Sequence, residues 1–207
     1  MLNHSNGYHS PTSNAILAFC LMNRPDTEVT ERKLQSTEGK FIMLELIKTR
    51  RSIRKFTSRK VEDEHLDQII EAGMWAPSGL NNQPWRIAVI RDSHTRQSIA
   101  PLTRYSPIIE GAPVLLLVFL DVDSSYDRTK DIQAIGACIQ NMLLIIHALE
   151  LGGVWLGEIL KNKDKVSEIV NAPDNLELMA IIALGHPEEQ GGRAYRKSVE
   201  EIVFLKD

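Results

Sequence analysis

Cysteine is almost missing from this sequence, with Cys20 and Cys138 the two in 207 residues. They lie far apart and without metal-ligand spacing, which excludes a disulfide framework and a cysteine-based zinc site. A basic excess is also missing. The 24 Lys and Arg are outnumbered by 27 Asp and Glu, for a formal net charge of -3. The chain is therefore not built chiefly to hold nucleic acid, and any basic cluster serves something local. No apolar run reaches the roughly 18 residues of a membrane-spanning helix. Residues 15–22 are short and uncharged like the middle of a secretion signal, yet no Lys or Arg precedes them and no small-residue cleavage site follows. A reducing, cytoplasmic setting with neither membrane nor nucleic-acid partner is the expectation. Absent too are Gly-x-Gly-x-x-Gly after a strand, a Gly-Lys-Ser/Thr loop and His-Glu-x-x-His, and with them a dedicated dinucleotide fold, a P-loop and a zinc-protease site.

What is present suffices for one domain with a sizeable core. Residues 1–42 differ from the rest: Asn, Ser, His and Thr dominate the beginning and no helical or strand period is sustained. They read as a mobile N-terminal extension before a domain at residues 43–207. Met43, which opens a helical pattern, is a candidate natural start. Within the domain, residues 62–75 form a helix, with Leu66, Ile69, Ile70 and Met74 on one stripe and Glu62, Asp63 and Glu64 at its positive end. Residues 85–91 read as a strand, 93–100 as a short helix, and 114–121 as a strand buried on both faces. The longest helix spans about 129–151, apolar around most of its circumference, and Gly152 and Gly153 stop it. A strand at 154–156, a helix at 163–170, a buried strand at 176–184 and a terminal strand at 199–205 complete the pattern. Trp75, Trp85 and Trp155 read as core.

Two stretches carry chemistry. In Arg50-Arg51-Ser52-Ile53-Arg54 an extended backbone puts Arg50, Ser52 and Arg54 on one side, with Arg51 and Ile53 facing away. Two guanidinium forks and a hydroxyl match the oxygens of a phosphate monoester. The same run also fits a solvated basic patch or a nucleic-acid contact. The second stretch, Ala76-Pro77-Ser78 to Asn81-Asn82-Gln83-Pro84-Trp85, is a polar loop between two prolines. The six histidines carry little weight: His147 reads as a satisfied residue of the long helix, and His186 follows Gly185 in a turn near the candidate site. Asp121 and Asp123 read as solvated loop ends, not a metal site.

With Leu149-Glu150-Leu151-Gly152-Gly153-Val154-Trp155-Leu156-Gly157, Ala183-Leu184-Gly185-His186-Pro187-Glu188 and Arg196-Lys197-Ser198-Val199-Glu200-Glu201, the two stretches make five segments. In that order they resemble the FMN-dependent nitroreductase family, over a span from Met43 to the C-terminus. The resemblance implies an α+β homodimer with a mixed, largely antiparallel sheet flanked by helices, long helices at the interface and an FMN in each of two clefts between subunits. By resemblance Arg50, Ser52 and Arg54, with Arg51 beside them, bind the FMN phosphate. Pro77, Ser78 and Asn81, in a loop with Gly79 and Gln83, reach the flavin of the other subunit. Backbone N–H groups near Leu156, Gly157 and Glu158 approach flavin N5, and Arg196 lies near the phosphate or the N1/O2 edge. Where relatives often carry another basic residue this chain has Ala194, with Arg193 adjacent.

The implied activity moves reducing equivalents from NADH or NADPH through FMN to nitroaromatics, quinones or similar electron-poor acceptors in a ping-pong sequence. The flavin carries the hydride, so no protein side chain is assigned as catalytic. The same scaffold also suits a dehalogenating or flavin-degrading enzyme, or a flavin-binding protein without turnover. Residues 102–113 offer little material for the large lid that a specialised substrate needs.

Overall fold

The structure, a computed structural model, describes the backbone from Thr37 to Asp207 and side chains from Ile42 onward. His4, His9, Cys20, the stretch at 15–22 and most of the expected N-terminal extension lie outside the described residues. In chain order the elements are α1 (Thr37–Thr49), α2 (Asp63–Met74), β1 (Trp85–Ile90), α3 (Ser93–Ile99), α4 (Ser106–Gly111), β2 (Val114–Asp121), α5 (Arg128–Ala148), β3 (Gly152–Leu156), α6 (Lys163–Ile169), β4 (Leu176–Gly185) and α7 (Val199–Ile202). Tight 3-10 turns occur at Gly79–Asn81, Ala100–Leu102 and Glu158–Asn162. The fold is α+β, as expected. Its sheet has the order β1-β2-β4-β3 with every ladder antiparallel, and the parallel component among the described residues is the single bridge between Ser52 and Gly153.

β2 carries the core, as its unbroken apolar run requires. Val114, Leu116, Val118 and Leu120 face a layer shared with α2 and α5, while Leu115, Leu117 and Phe119 face a layer shared with α3, α4 and α6. All seven are at most 2% exposed; burying each contributes about 1.5–3 kcal/mol. An irregularity in β4 keeps both layers in register. Val118 pairs with Ala180 but Phe119 pairs with Leu178, so Met179 is the extra residue of a bulge and Leu178 faces the same layer as Phe119.

Helix α5 is long and apolar enough to cross a membrane by length and composition, yet it lies against the sheet and buries Ile135, Cys138, Ile139, Met142, Leu143 and Ile146 there. It is the core helix of this fold. Asp127 caps its start, accepting from Lys130 N at 3.1 Å. Its end corrects an expectation: the left-handed residue past the helix is Glu150, at φ 59°, while Gly152 and Gly153 open β3. Gly152 is demanded by close approach, since a Cβ there would lie 2.7 Å from Ile53 Cβ.

Other readings need correction. Helix α1 begins at Thr37, ahead of Met43, so the helical pattern crosses the boundary placed at residue 43. Trp85 is core, but Trp75 is 81% exposed and Trp155 44%, because Trp75 closes α2 on its outward side and Trp155 projects from the sheet over Gly136 of α5. The tail at 199–205 is not a strand among the described residues. Ser198 accepts from Glu201 N and Glu201 accepts from Ser198 N, and this capping box starts the short helix α7.

One ion-pair junction ties α5, α6 and β4 together. The Glu177 carboxylate accepts from Arg128 Nη1 and Nη2, the latter at 3.0 Å, and from Lys163 Nζ at 2.6 Å. Those hydrogen bonds, Arg128 first, outweigh desolvation and bring its pKa down to about 2 from 4.5. A folded pKa below the unfolded one gives stability that is complete above pH 4.5 and is lost as pH falls towards 2. Glu177→Gln is expected to cost roughly 1–2 kcal/mol at pH 7, after screening of the partly exposed partners. Melting curves at pH 7 and pH 3 check this: the gap between wild type and variant should narrow at pH 3.

Candidate functional site

After α1 the chain runs extended beside β3, where Ile53 N donates to Gly153 O at 3.1 Å. The alternation expected of this segment is present, with Ile53 buried and Arg54 exposed. Arg51 lies with Ile53 against Gly191, and it has a task there. Its Nε donates to Gly192 O at 3.1 Å and its Nη1 to Lys48 O at 2.6 Å and Arg50 O at 2.8 Å. Gly191 packs so closely that a Cβ there would sit 2.1 Å from Arg51 Cβ. The clip fixes where the C-terminal tail leaves the domain and so brings Arg196 within the field of Arg50.

Arg50 is half-buried, and its guanidinium pKa is lowered, first by burial and then by the charges of Arg196 and Arg51. Arg54 Nη1 lies 3.4 Å from Ser52 O. Among the described residues none of Arg50, Arg54 and Arg196 forms a salt bridge. His147, at the end of α5, sits beside the cluster: its Nε2 lies 3.0 Å from Thr49 Oγ1, and burial, Arg50 and Arg51 all lower its pKa. Neutral imidazole adds no charge. Arg50, Arg51 and Arg196 thus crowd one another, and no salt bridge to Arg50 or Arg196 occurs among the described residues, an arrangement that favours an anion.

The loop at Pro77 to Gln83 is held in a costly conformation. Leu80, Asn81 and Gln83 have φ of 54°, 55° and 47°, the left-handed region that costs roughly 1–3 kcal/mol for each such residue. Asn81 N and Asn82 N donate back to Ser78 O and Gly79 O at 3.1 Å each, and Gln83 N donates to Ser78 Oγ at 3.0 Å. Ser78 thus accepts within the loop and keeps its own O–H to donate outward, beside the exposed Asn81 amide. The loop borders an open groove of about 330 Å³ lined by Pro77, Ser78, Gly79, Tyr126, Lys130 and Gln133 with two alanines of α5. Tyr126 roofs Gly79; a Cβ there would fall 1.9 Å from the phenol oxygen.

At the end of β3 Leu156 is buried and Gly157 is exposed. Gly157 has φ -101°, open to any residue, and a Cβ on it would meet nothing within 4 Å. Among the described residues neither backbone nor packing requires glycine here, which leaves room for a flat group to approach the backbone N–H groups that head the turn Glu158–Asn162. The Glu158 side chain is committed elsewhere. It accepts from Lys161 Nζ, Thr103 Oγ1 and Arg104 N, which hold its pKa at about 2.

Among the described residues, the loop and the arginines lie apart within one chain. The loop lines the groove beside Ala134 of α5, whereas the arginines gather by His147. Thirteen positions of helix separate those two residues, about 20 Å at 1.5 Å each. His186 is tied to Lys60 O at 3.2 Å, and the residues between Leu102 and Pro113 are consumed by a turn and by α4, which buries Ile108 and Ile109. Three residues of the site were not singled out from the sequence. Asn82, Tyr126 and the buried Asp131 support the loop, and the available signal was an acid in the first turn of α5 after a Ser-Ser-Tyr-Asp turn.

Comparison with known proteins gives the family. The model of the Nitroreductase family matches residues 47–104 and 102–186. A protein of Methanothermobacter thermautotrophicus, provisionally named NADH dehydrogenase/NAD(P)H nitroreductase, is 35% identical over 159 residues, covering 74% of this chain and 82% of its own length. A crystal structure of a provisionally named nitroreductase from Desulfovibrio desulfuricans, in complex with FMN, is similar with a TM-score of 0.76 and 46% identity, over 79% of this chain and 96% of that one. The Vibrio harveyi NADPH:FMN oxidoreductase complexed with NAD+ aligns with a TM-score of 0.72 and 26% identity, over 79% of this chain and 76% of that one. With most of the domain from residue 47 to residue 186 matched, the chain belongs to the nitroreductase family of enzymes.

Proposed function

We propose that this chain is an FMN-dependent oxidoreductase that moves reducing equivalents from NADH or NADPH to nitroaromatic, quinone or similar electron-poor acceptors. The observation that carries the reading is the half-buried Arg50, crowded by Arg51 and Arg196, with no carboxylate bridged to Arg50, Arg54 or Arg196 among the described residues. A dianionic phosphate relieves that crowding through charge-assisted hydrogen bonds. Arg50, Ser52 and Arg54 would hold the phosphate, with Arg196 adding charge at the same end. Gly157 and the N–H groups at Glu158 would face the ring. When bound, FMN supplies the hydride-accepting and hydride-donating centre. The open approach at Gly157 supports one cleft that donor and acceptor occupy in turn, with the chain binding and orienting them.

The functional unit is a homodimer in this reading. The 20 Å between the loop and the arginines closes if a second copy lays its α5 antiparallel to the first, so that Pro77, Ser78, Gly79, Asn81 and Gln83 of one chain meet the arginines of the other. Exposed apolar residues supply the contact surface: Trp75, Leu80, Tyr195, Val199 and Phe204, the last 98% exposed. The buried, free Cys138 suits a reducing cytoplasm.

The test is the visible spectrum of the purified protein with FMN, before and after anaerobic addition of NADH or NADPH. Flavin bands that bleach and return with a nitroaromatic or quinone are expected. Bound flavin that no nicotinamide bleaches would point to binding without turnover, and no flavin binding would overturn the reading.

A further inference from the structure

Asp131 is a charged residue with no solvent exposure, and its two carboxylate oxygens serve two different parts of the chain. Oδ1 accepts from Asn82 Nδ2 at 2.8 Å, on the strained loop. Oδ2 accepts from Ser125 Oγ at 2.6 Å, Tyr126 N at 3.1 Å and Asp127 N at 3.3 Å, in the turn that puts the Tyr126 ring over Gly79. Asn82 also donates to Ser124 O at 3.0 Å. Burial by itself raises the pKa of this acid, but the hydrogen bonds from Ser125, Asn82, Asp127 and Tyr126 together outweigh it and the net shift is downward. A buried, ionised carboxylate persists only where its partners are fixed. Here it grips both the floor and the roof of the 330 Å³ groove, with the Asn82–Ser124 O bond beside it.

We propose that Asp131 is a positioning residue of the cleft, which through Asn82 locks the loop in its left-handed form and so presents the Ser78 hydroxyl and the Asn81 amide to the cofactor held by a second copy. The proposal rests on the reading above that these groups meet FMN. Its chemistry makes a directional forecast. An amide at residue 131 has one oxygen to offer, and the turn side presents two backbone N–H groups that can only donate, whereas the loop side presents one amide. The oxygen stays with the turn and the new NH2 faces the Asn82 amide, which can then keep Ser124 O or residue 131 but not both, so the loop is loosened while the helix start stays intact.

The experiment uses the full chain with Asp131→Asn and Asn82→Ala, singly and combined, and Glu177→Gln as a control that loosens the same helix end without touching the loop. Two quantities are read: hydrogen exchange of the Asn81, Asn82 and Gln83 amides in flavin-free protein, and the FMN dissociation constant by fluorescence titration. Asp131→Asn and Asn82→Ala should each speed exchange at those amides and weaken FMN about tenfold or more. The double variant should be no worse than the poorer single one, because both cut the same link. Glu177→Gln should lower the melting temperature with exchange and FMN affinity unchanged. Exchange rates and FMN affinity of Asp131→Asn within about twofold of wild type, or fully additive losses in the double variant, would overturn the proposal. A wild-type chain that binds no FMN at all would sink the cofactor reading alone, and the exchange rates then decide the role of Asp131 by themselves.

Discussion

Arg50→Ala will weaken FMN binding by about 10- to 150-fold, the loss expected for one charge-assisted contact of about 1.5–3 kcal/mol. The direction of its effect on folding separates a ligand-binding role from a structural one. Most truncations of a half-buried side chain destabilise the protein. Arg50, however, is held against Arg51 and Arg196 at a cost, visible in the lowered pKa of its guanidinium from burial and from those two neighbours. Removing it relieves that repulsion. The flavin-free Arg50→Ala protein should therefore melt at the wild-type temperature or above it, while the FMN-loaded protein loses most of the stabilisation that the cofactor provides by mass action. Arg196→Ala should follow the same pattern more weakly, since Arg196 is exposed and among the described residues its side chain binds only Tyr195 O, at 2.7 Å. Calorimetry with and without FMN measures both halves. Tight FMN binding by Arg50→Ala, or a fall in the melting temperature of the flavin-free form, would remove Arg50 from the phosphate site.

What the sequence made legible, and what it hid, follows the range of the interactions involved. The unbroken apolar run of β2 could be read because burial on both faces leaves no polar alternation, and the stripe of α2 because one face must meet α5, although Met74 at its end stays exposed. The Arg-Ser-x-Arg alternation could be read because it is a property of five adjacent residues. Trp75 and Trp155 were misread because size and apolarity argue for burial, yet whether a residue is covered depends on the far side of the molecule, and both project outward in a single chain. The tail followed its local Ser198–Glu201 capping box, which outweighed the apolar residues that read as a strand. The role of Asp131 was hidden for a different reason. An acid in a first helical turn is ordinarily a solvated partner of the helix dipole, and only the folding back of a loop 49 residues away in sequence turns it into a buried anchor. Likewise Gly152, a plausible helix stop in the sequence, owes its identity to Ile53, which the chain brings against it from a hundred residues earlier.

Phe119→Ala should give the largest loss of stability, about 3–5 kcal/mol, through the cavity left behind and the burial forgone. The site cannot collapse easily. Phe119 is 2% exposed on the central strand, with α3, α4 and α6 over it, and the β4 bulge at Met179 fixes Leu178 as its cross-strand neighbour. Its layer is also the one away from α5, where the loop and its groove lie, and it reaches the arginine segment and Gly157 only through the neighbouring Ile53, Leu156 and Ile159. Stability and cofactor binding should therefore come apart in the sense opposite to Arg50→Ala. At roughly 2–4 °C per kcal/mol for a domain of this size, the melting temperature should fall by about 6–20 °C, while the fraction that remains folded binds FMN with wild-type affinity. Thermal melts read by circular dichroism, paired with FMN titration well below the transition, test the two statements together. A fall of less than about 3 °C would mean that this layer is loosely packed. A melting temperature lowered as forecast, but with FMN affinity lost in the same proportion, would mean that the layer under β2 supports the cleft directly, and that the cofactor site reaches deeper into the fold than Arg50, the Pro77 loop and Gly157.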